Sequence, residues 1–279
     1  MNMAKEKYSN TEELEERYKK YKNVLKKLTI MDDVFMRNVL KKRECTEYIL
    51  QIIMGKKHLK VLEQILQKDY KNLQGRSAVL DCVVRDSEGN LMNIEIQQNS
   101  EGASPKRARY HSGLLDLNTL NPGQDFEELP ESYVIFITRN DFFGYGCPIY
   151  HVNRKIEEVT VDFDDKEHII YVNSKIQDDT ELGQLMHDLH CSNANDMYSQ
   201  ILAERVCELK ETQKGVDFMC HELEQIYSEG IENGEMKKAK DTALSMAADG
   251  MKVDKIAYYL KVNVKMVQKW IDEDISVMQ

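Results

Sequence analysis

Hydrophobic and polar residues alternate along this chain with two different periods. Residues 9–28 repeat Leu and Tyr at intervals of four and three, which predicts a helix beginning near Ser9. The run YVIFIT at 133–138 is continuously apolar and bounded by turn formers, as expected for a strand buried on both faces. From Thr180 onward the spacing is helical almost throughout. The pattern predicts an α/β fold with a helical C-terminal extension.

The clearest strand signal is a predicted β-hairpin at residues 78–98. Two runs rich in Val, Ile and Leu flank the turn-forming sequence DSEGN. A turn centred in that sequence pairs Val83 with Asn93 and places Asp81 opposite Glu95. A slip of one residue in the register would turn one of the two acids to the other face.

Two directly opposed carboxylates repel each other unless something compensates their charge. Residues two apart share a strand face, so Asp81, Glu95 and Gln97 would point the same way. Mg²⁺ takes oxygen ligands at about 2.0–2.1 Å, commonly one or two carboxylates with waters and phosphate oxygens. The hairpin alone leaves two interpretations open, a metal site and a hairpin whose acids face water.

A basic segment follows the hairpin and predicts a helix that Ser104 or Pro105 opens and that stops at residues 121–123. Its first turns carry four side chains that could contact a substrate: Lys106, Arg107, Arg109 and Tyr110. Cations at the start of a helix oppose its dipole, so they do not support the helix. Beside a carboxylate pair they could instead bind phosphate oxygens.

The ordered set of these motifs resembles the PD-(D/E)XK nuclease superfamily, and more narrowly the Rpn family of recombination-promoting nucleases and transposases. The similar segments occur in the same order between about residues 29 and 234. They are DDVF at 32–35, GRS at 75–77, NIEIQ at 93–97, RARY at 107–110 and DFFGYGCPIY at 141–150.

The resemblance implies a central mixed sheet flanked by helices and a divalent-metal-dependent DNA endonuclease associated with recombination or transposition. It implies that Asp81 and Glu95 hold Mg²⁺ or Mn²⁺ together with the backbone carbonyl of Ile96. Gln97 stands where the superfamily usually has a lysine, and a neutral amide can orient water but supplies no positive charge. Asp32 matches the family's Asp-x-x-Phe element and would approach the metal, although the sequence alone also fits an N-cap.

Two features remain ambiguous in the sequence. Residues 59–66 fit a helix by their spacing and a strand by their branched side chains, and the superfamily core favours the strand. Glu44 and Glu47 rival Asp32 as the upstream acid of the superfamily, but glutamates on a helix surface are ordinary.

Composition and charge narrow the picture further. The 279-residue chain has a net charge of −10, so DNA binding would depend on a local basic surface. No apolar run approaches the roughly 20 residues of a membrane helix, and the first residues lack a hydrophobic signal core, so we expect a cytoplasmic protein without a membrane partner. Six cysteines without a CxxC pair predict reduced thiols. His187, His190 and Cys191 give only a hint of metal spacing and fit a helix end.

We expect three parts in the chain. Residues 1–178 form the nuclease-like domain with its N-terminal helix, and residues 179–240 form a helical extension through which a homodimer could assemble. Residues 241–279 form a small tail shaped like a helix-turn-helix, a unit that is often a mere packing module. Its second helix carries three plausible DNA-contacting side chains: Lys265, Gln268 and Lys269.

Two further functions stay open beside the endonuclease. One is a catalytically weak or inactive nuclease fold that acts as a DNA-binding or regulatory module. The other is an α/β protein that binds neither metal nor DNA, which the acidic net charge favours.

Overall fold

The computed structural model describes residues 2–70, 78–98 and 100–277. The chain forms two compact units, Met1–Cys220 and His221–Gln279. The first unit continues past residue 178, where our sequence-based division placed its first boundary. The GRS sequence of the resemblance, at 75–77, lies outside the described residues.

Three helices precede the sheet in the first unit: α1 (Asn2–Leu25), α2 (Asp33–Leu40) and α3 (Arg43–Met54). Helix α1 begins at Asn2 rather than near Ser9, so the prediction of its start was wrong. Helix α3 ends at Gly55, whose φ of +63° is a left-handed conformation that glycine adopts without a Cβ penalty.

Eight strands follow in the described residues: β1 (Val61–Tyr70), β2 (Ala78–Asp86), β3 (Leu91–Gln97), β4 (Ser132–Thr138), β5 (Ile149–Val152), β6 (Lys155–Ile156), β7 (Val161–Asp162) and β8 (Glu167–Asn173). Six of them form one mixed sheet in the order β1-β2-β3-β4-β8-β5. Strands β3, β4 and β8 run parallel, whereas β1–β2, β2–β3 and β5–β8 pair antiparallel. The strand interpretation of residues 59–66 is confirmed, because β1 occupies this region and extends to Tyr70.

The sheet is covered on both faces, which explains why β4 is buried along its whole length and apolar between its terminal Ser132 and Thr138. Met92, Ile94 and Ile96 of β3 belong to the core formed with helices α2 and α3. Val134 and Phe136 of β4 belong to a second core on the opposite face. Successive side chains of a strand point to opposite faces of the sheet, so each of these strands contributes residues to both cores.

Helix α4 (Pro105–Leu117) covers the second face with Ala108, Leu114 and Leu115. The Ser104 hydroxyl accepts a hydrogen bond from the Arg107 backbone N–H at 3.3 Å and caps the helix, as predicted. The helix ends at Leu117, before the predicted stop at residues 121–123.

Five helices complete the described chain: α5 (Glu181–His190), α6 (Gln200–Glu211), α7 (Gln213–Ala248), α8 (Val253–Leu260) and α9 (Val264–Val277). Helix α7 continues without a break through Gly230 and Gly234. In the second unit, Ile256 of α8 packs with Val267 and Trp270 of α9. No helix among the described residues has both the length and the apolar character needed to cross a bilayer.

Candidate active site

The β2–β3 hairpin brings two acids together at one end of the sheet. The predicted pairing of Val83 with Asn93 is confirmed, and the same register makes Asp81 and Glu95 the next opposed residues. The Asp81 backbone N–H donates to Glu95 Oε1 at 3.2 Å, and the Ile96 backbone N–H donates to the Asp81 carboxylate. We call Asp81 and Glu95 the acid pair.

Burial makes ionisation of the acid pair unfavourable. Glu95 is fully buried, and this burial, followed by the charge of Asp81, raises its pKa to about 7. Burial, followed by the charge of Asp33, raises the pKa of Asp81 to about 6. Desolvation and a like charge both disfavour a carboxylate, so the pair holds protons more tightly than isolated acids do. A bound cation would reverse this preference.

Helix α4 supplies the cationic partner of Glu95. Arg107 Nη2 donates to Glu95 Oε2 at 3.3 Å, and Arg107 Nε donates to His111 Nε2 at 3.3 Å. Burial, followed by the charge of Arg107, lowers the pKa of His111 to about 4, so this ring is neutral at pH 7. Because Nε2 accepts from Arg107, the ring proton lies on Nδ1, which is 3.5 Å from Glu95 Oε1.

Asn93 completes the buried surroundings of Glu95. Its Nδ2 donates to Glu95 Oε1 at 3.0 Å. Its Oδ1 is buried and has no hydrogen-bond partner among the described residues. A buried acceptor without a partner costs free energy, which indicates that this polar pocket is built for more than packing.

Gln67 is a site residue that the sequence analysis missed. It lies in β1 opposite Asp81, between Leu66 and Lys68, and its Nε2 donates to Asp81 Oδ1 at 3.2 Å. Its φ of +51° is a left-handed conformation, uncommon for a residue with a Cβ and costing about 1–3 kcal/mol. The sequence of β1 carries no signal for this distortion, since no glycine or asparagine marks it.

Asp32 and Asp33 have different surroundings at the start of α2. Asp32 occupies the N-cap position, but its Oδ2 accepts from the Thr29 backbone N–H at 2.7 Å and its Oδ1 from Gln98 Nε2 at 2.7 Å. It therefore links the start of α2 to the end of β3. Asp33 is the acid whose charge raises the pKa of Asp81, and it pairs with Arg37 at 3.3 Å. Sequence analysis named Asp32 as the upstream acid, whereas Asp33 is the electrostatic neighbour of the pair.

The rival glutamates on α3 do not join the acid pair. Glu47 accepts from Lys60 Nζ at 2.7 Å and from the Val61 backbone N–H at 3.1 Å, at the end of β1 remote from Gln67. Glu44 is exposed on the helix surface. Glu47 therefore secures the start of β1.

The basic side chains of α4 divide into two groups. Arg107 turns inward to Glu95, and its side chain is still 39% exposed. Lys106, Arg109 and Tyr110 lie on the exposed side of the helix. Arg107 can act on the acid pair, and the other three side chains are accessible to a molecule that approaches from solvent.

Gln97 lies at the edge of the acid pair. Its Nε2 donates to Glu95 Oε2 at 3.4 Å. Its Oε1 fills the space beside Gly102, where an added Cβ would lie 1.9 Å from this oxygen. The absence of a side chain at residue 102 therefore sets the position of Gln97.

The donor set of the pair fits a hard divalent cation. Two carboxylates with raised pKa values lie on opposed residues, and the amides of Gln67, Asn93 and Gln97 donate hydrogen bonds to them. Carboxylate oxygens are the ligands that Mg²⁺ and Mn²⁺ prefer. The predicted ligation by the Ile96 carbonyl stays a prediction.

A second cluster with metal-binding residue types lies at the end of α5. Ligand atoms of His187, Asp188 and Cys191 fall within 4.8 Å of one another. Both Asp188 oxygens already accept backbone N–H groups at 2.8 Å, from Tyr198 and Ser199. This acid anchors the turn that leads into α6, which fits the helix-end interpretation of the cluster.

Acidic residues accompany the tail side chains that were predicted to read DNA. Gln268 Nε2 donates to Asp272 Oδ1 at 2.8 Å, and Lys269 Nζ lies 3.8 Å from Glu273. Such pairing along α9 weakens its attraction for phosphate. DNA recognition by this helix stays a prediction.

Comparison with protein-family models matches residues 46–182 to a family described as PD-(D/E)XK nuclease family transposase. The matched segment runs from α3 into α5 and contains the acid pair, Arg107 and His111. Searches of curated proteins and of solved structures gave no match. The mixed six-stranded sheet flanked by helices agrees with the α/β core of PD-(D/E)XK nucleases. The match over residues 46–182 supports the recognition of this part of the chain as similar to the PD-(D/E)XK nuclease family transposases.

Proposed function

We propose that this protein is a divalent-metal-dependent DNA endonuclease that hydrolyses phosphodiester bonds. The observation that carries the proposal is the acid pair: two carboxylates with raised pKa values on opposed residues, where Glu95 accepts the Asp81 backbone N–H and pairs with Arg107. Such a pair is unfavourable without a cation, so its presence at the end of a parallel strand supports a metal site. DNA as the substrate is supported by the family match.

Asp81 and Glu95 would hold Mg²⁺ or Mn²⁺, with the carbonyl of Ile96 as the predicted third ligand. A metal bound there supplies Lewis-acid polarisation of the scissile phosphate and a lowered pKa for bound water. Gln67 holds Asp81 by its 3.2 Å hydrogen bond, and Asn93 holds Glu95 by its 3.0 Å hydrogen bond. Both amides fix the carboxylate oxygens before a ligand arrives, which lowers the entropic cost of assembling the site.

Arg107 would contact the phosphate. Its guanidinium contacts buried Glu95 and its side chain is still 39% exposed, so the side chain extends from the acid pair to the surface. His111 accepts from Arg107 Nε and fixes the orientation of the guanidinium plane. An arginine in this position stabilises negative charge that develops on phosphate oxygens.

The plain test is cleavage of supercoiled plasmid with Mg²⁺ or Mn²⁺. We expect the wild type to cleave, and Asp81→Ala to lose activity by more than about 100-fold because a metal ligand is gone. Glu63→Ala is the matched control, since Glu63 is an exposed acid of the neighbouring strand β1. Equal cleavage by Asp81→Ala and the wild type would refute the proposal.

A catalytically weak or inactive fold that binds DNA is the second candidate. Gln97 favours it, because an amide in place of the superfamily's lysine gives no positive charge to the transition state. In that case DNA binding persists without metal and is unaffected by Asp81→Ala. Association with recombination or transposition, a cytoplasmic location and a homodimer through residues 179–240 stay predictions.

Gly102→Ala tests the role of Gln97. The added Cβ would lie 1.9 Å from Gln97 Oε1, so the amide must leave its place beside Glu95. We expect the cleavage rate to fall about tenfold if the amide orients water. Gly113→Ala on α4 is the control, because its Cβ meets nothing within 4 Å. An unchanged rate for Gly102→Ala would show that the position of Gln97 is unimportant.

A further inference from the structure

A loop rich in aromatic residues borders the acid pair at the same edge of the sheet. Strands β3 and β4 are parallel and pair Gln97 with Thr138, so the segments that follow both strands leave the sheet together. The Arg139 backbone N–H donates to the Gln97 carbonyl at 3.0 Å, and its Nη1 donates to Gln98 Oε1 at 3.2 Å. We call residues 139–148 the aromatic loop.

The aromatic loop is held in one conformation by Asp141. This carboxylate accepts backbone N–H groups of Phe143 at 3.2 Å, Gly144 at 3.0 Å and Gly146 at 2.7 Å, and the Tyr150 hydroxyl at 2.7 Å. Gly144 and Gly146 have φ of +76° and +77°, values that favour glycine. The loop is therefore ordered before binding, so a contact through one of its side chains costs little conformational entropy.

The aromatic loop also lies on the face of the sheet that carries α4. Phe142 and Phe143 pack against Tyr171, with ring centroids 5.3 and 4.9 Å away. The Tyr171 hydroxyl donates to the Ala103 carbonyl at 2.9 Å, directly before α4 begins. Arg107 and Glu95 meet on this same face. The loop and the acid pair therefore share both an edge and a face of the sheet.

Tyr145 is the residue that the loop presents to solvent. It lies between the two left-handed glycines and is 81% exposed, whereas the neighbouring Phe142 and Phe143 are packed. Exposed cations lie at the same edge: Arg139 follows β4, and Lys175 follows β8. A planar side chain held outward at an edge of the sheet that also carries exposed cations matches the way proteins bind the bases and phosphates of unpaired nucleic acid.

We propose that Tyr145 stacks on an unpaired base next to the phosphate that is cut. This inference rests on the proposed endonuclease function and specifies its substrate. Within a duplex both faces of each base are covered by neighbouring bases, so a loop tyrosine can stack only where a base is terminal, single-stranded or turned out of the helix. The preferred substrate is therefore DNA with an unpaired base beside the cleavage position.

Binding without cleavage tests the stacking. In EDTA, we expect Tyr145→Ala to bind a single-stranded oligonucleotide about tenfold more weakly than the wild type, and Tyr145→Phe to bind like the wild type. Phe126→Ala is the matched control, since Phe126 is 80% exposed but precedes β4 and so lies toward the opposite edge of the sheet. A perfectly paired blunt duplex should show a smaller loss for Tyr145→Ala.

Tyr145→Trp gives a spectroscopic signature of stacking. The chain has one tryptophan, Trp270, which is buried in the second unit and supplies a background measured in the wild type. Stacking on a base quenches indole fluorescence, so the added signal should fall when the oligonucleotide is titrated in. An added indole signal that stays constant while DNA binds to this variant would overturn the proposal.

The outcomes separate this inference from the endonuclease proposal. If the wild type cleaves plasmid and depends on Asp81, but Tyr145→Ala binds single-stranded DNA as the wild type does, only the stacking is wrong. If the wild type neither cleaves nor binds DNA, both proposals are wrong. If Phe126→Ala loses as much binding as Tyr145→Ala, the effect is not specific to the aromatic loop and the stacking is again wrong.

Discussion

Glu95→Gln is expected to abolish metal-dependent cleavage while leaving the fold intact. The substitution removes the charge of a fully buried carboxylate, the proposed metal ligand, but keeps an oxygen that can accept from the Asp81 N–H and from Asn93. Loss of a group that only supports a metal ligand costs about 10–100-fold, so loss of the ligand's charge should cost more than about 100-fold. Plasmid cleavage with Mn²⁺ measures this effect.

The same variant should also lose its thermal response to metal. A ligand that binds only the folded state raises stability by RT ln(1 + [L]/Kd), about 2.7 kcal/mol at 100 times Kd. We therefore expect Mn²⁺ to raise the melting temperature of the wild type and not that of Glu95→Gln. This readout is independent of catalysis, so it applies equally to a catalytically weak protein.

Asp86→Asn is the control for a buried acid in the same hairpin. Asp86 accepts from the Glu88 and Asn90 backbone N–H groups at 2.9 and 2.8 Å and closes the turn at the far end from Glu95. Its substitution should lower the melting temperature but preserve the rise with metal. A preserved rise in Glu95→Gln would instead show that the metal binds elsewhere.

The hairpin could be predicted from sequence because each local signal agrees. Turn formers at DSEGN fix the loop, and alternation on both strands fixes the register that pairs Val83 with Asn93. The burial of YVIFIT in β4 follows from its unbroken apolar sequence. Local chemistry therefore determines the part of the fold that brings Asp81 and Glu95 together.

The rest of the site depends on contacts between residues distant in the chain. Gln67 reaches Asp81 only because β1 distorts opposite it, and nothing in its neighbours requires a left-handed residue. His111 looks like one more polar residue of a basic helix, yet α4 turns it inward against Glu95. Which of Asp32 and Asp33 is the electrostatic neighbour of the acid pair depends on the direction of α2. The adjacent sequence does not encode this direction.

The acidic net charge of the chain does not conflict with DNA as the proposed substrate, because the charges near the acid pair differ from those of the whole chain. The chain has a net charge of −10, but Arg107, Arg139 and Lys175 lie at the edge that holds the acid pair. Screening at physiological salt limits the influence of remote acids to about 8 Å. Local cations, and a metal on the pair, therefore determine how this edge attracts phosphate.

The metal-free protein is expected to lose stability as the pH rises from about 4 to about 7. The folded-state pKa values of Asp81 and Glu95, about 6 and about 7, lie above the ordinary values of 3.8 and 4.5. A raised pKa means that the folded state binds more protons than the unfolded state. Each acid therefore makes its full contribution to stability at a pH below its ordinary pKa. This contribution is lost as the pH rises through the pKa of the folded state. A difference of one pH unit between the folded and unfolded pKa values corresponds to about 1.4 kcal/mol.

His111 acts in the opposite direction over part of this range. Its pKa is lowered from 6.5 to about 4, so its contribution to stability rises with pH between these values. Two acids outweigh one histidine below pH 6.5, so the slope that these three groups contribute together stays downward until about pH 7. Arg107 faces both Glu95 and His111.

Calorimetric melting in EDTA, compared between pH 4.5 and pH 8, measures this loss. The double variant Asp81→Asn, Glu95→Gln should lose markedly less stability over the same interval, because its site has no carboxylate to ionise. Adding Mg²⁺ should restore the wild type at pH 8 and have little effect at pH 4.5, where protons compete with the metal for the same oxygens. Identical pH profiles for the wild type and the double variant would contradict the raised pKa values of the acid pair and, with them, the charge repulsion on which metal binding depends.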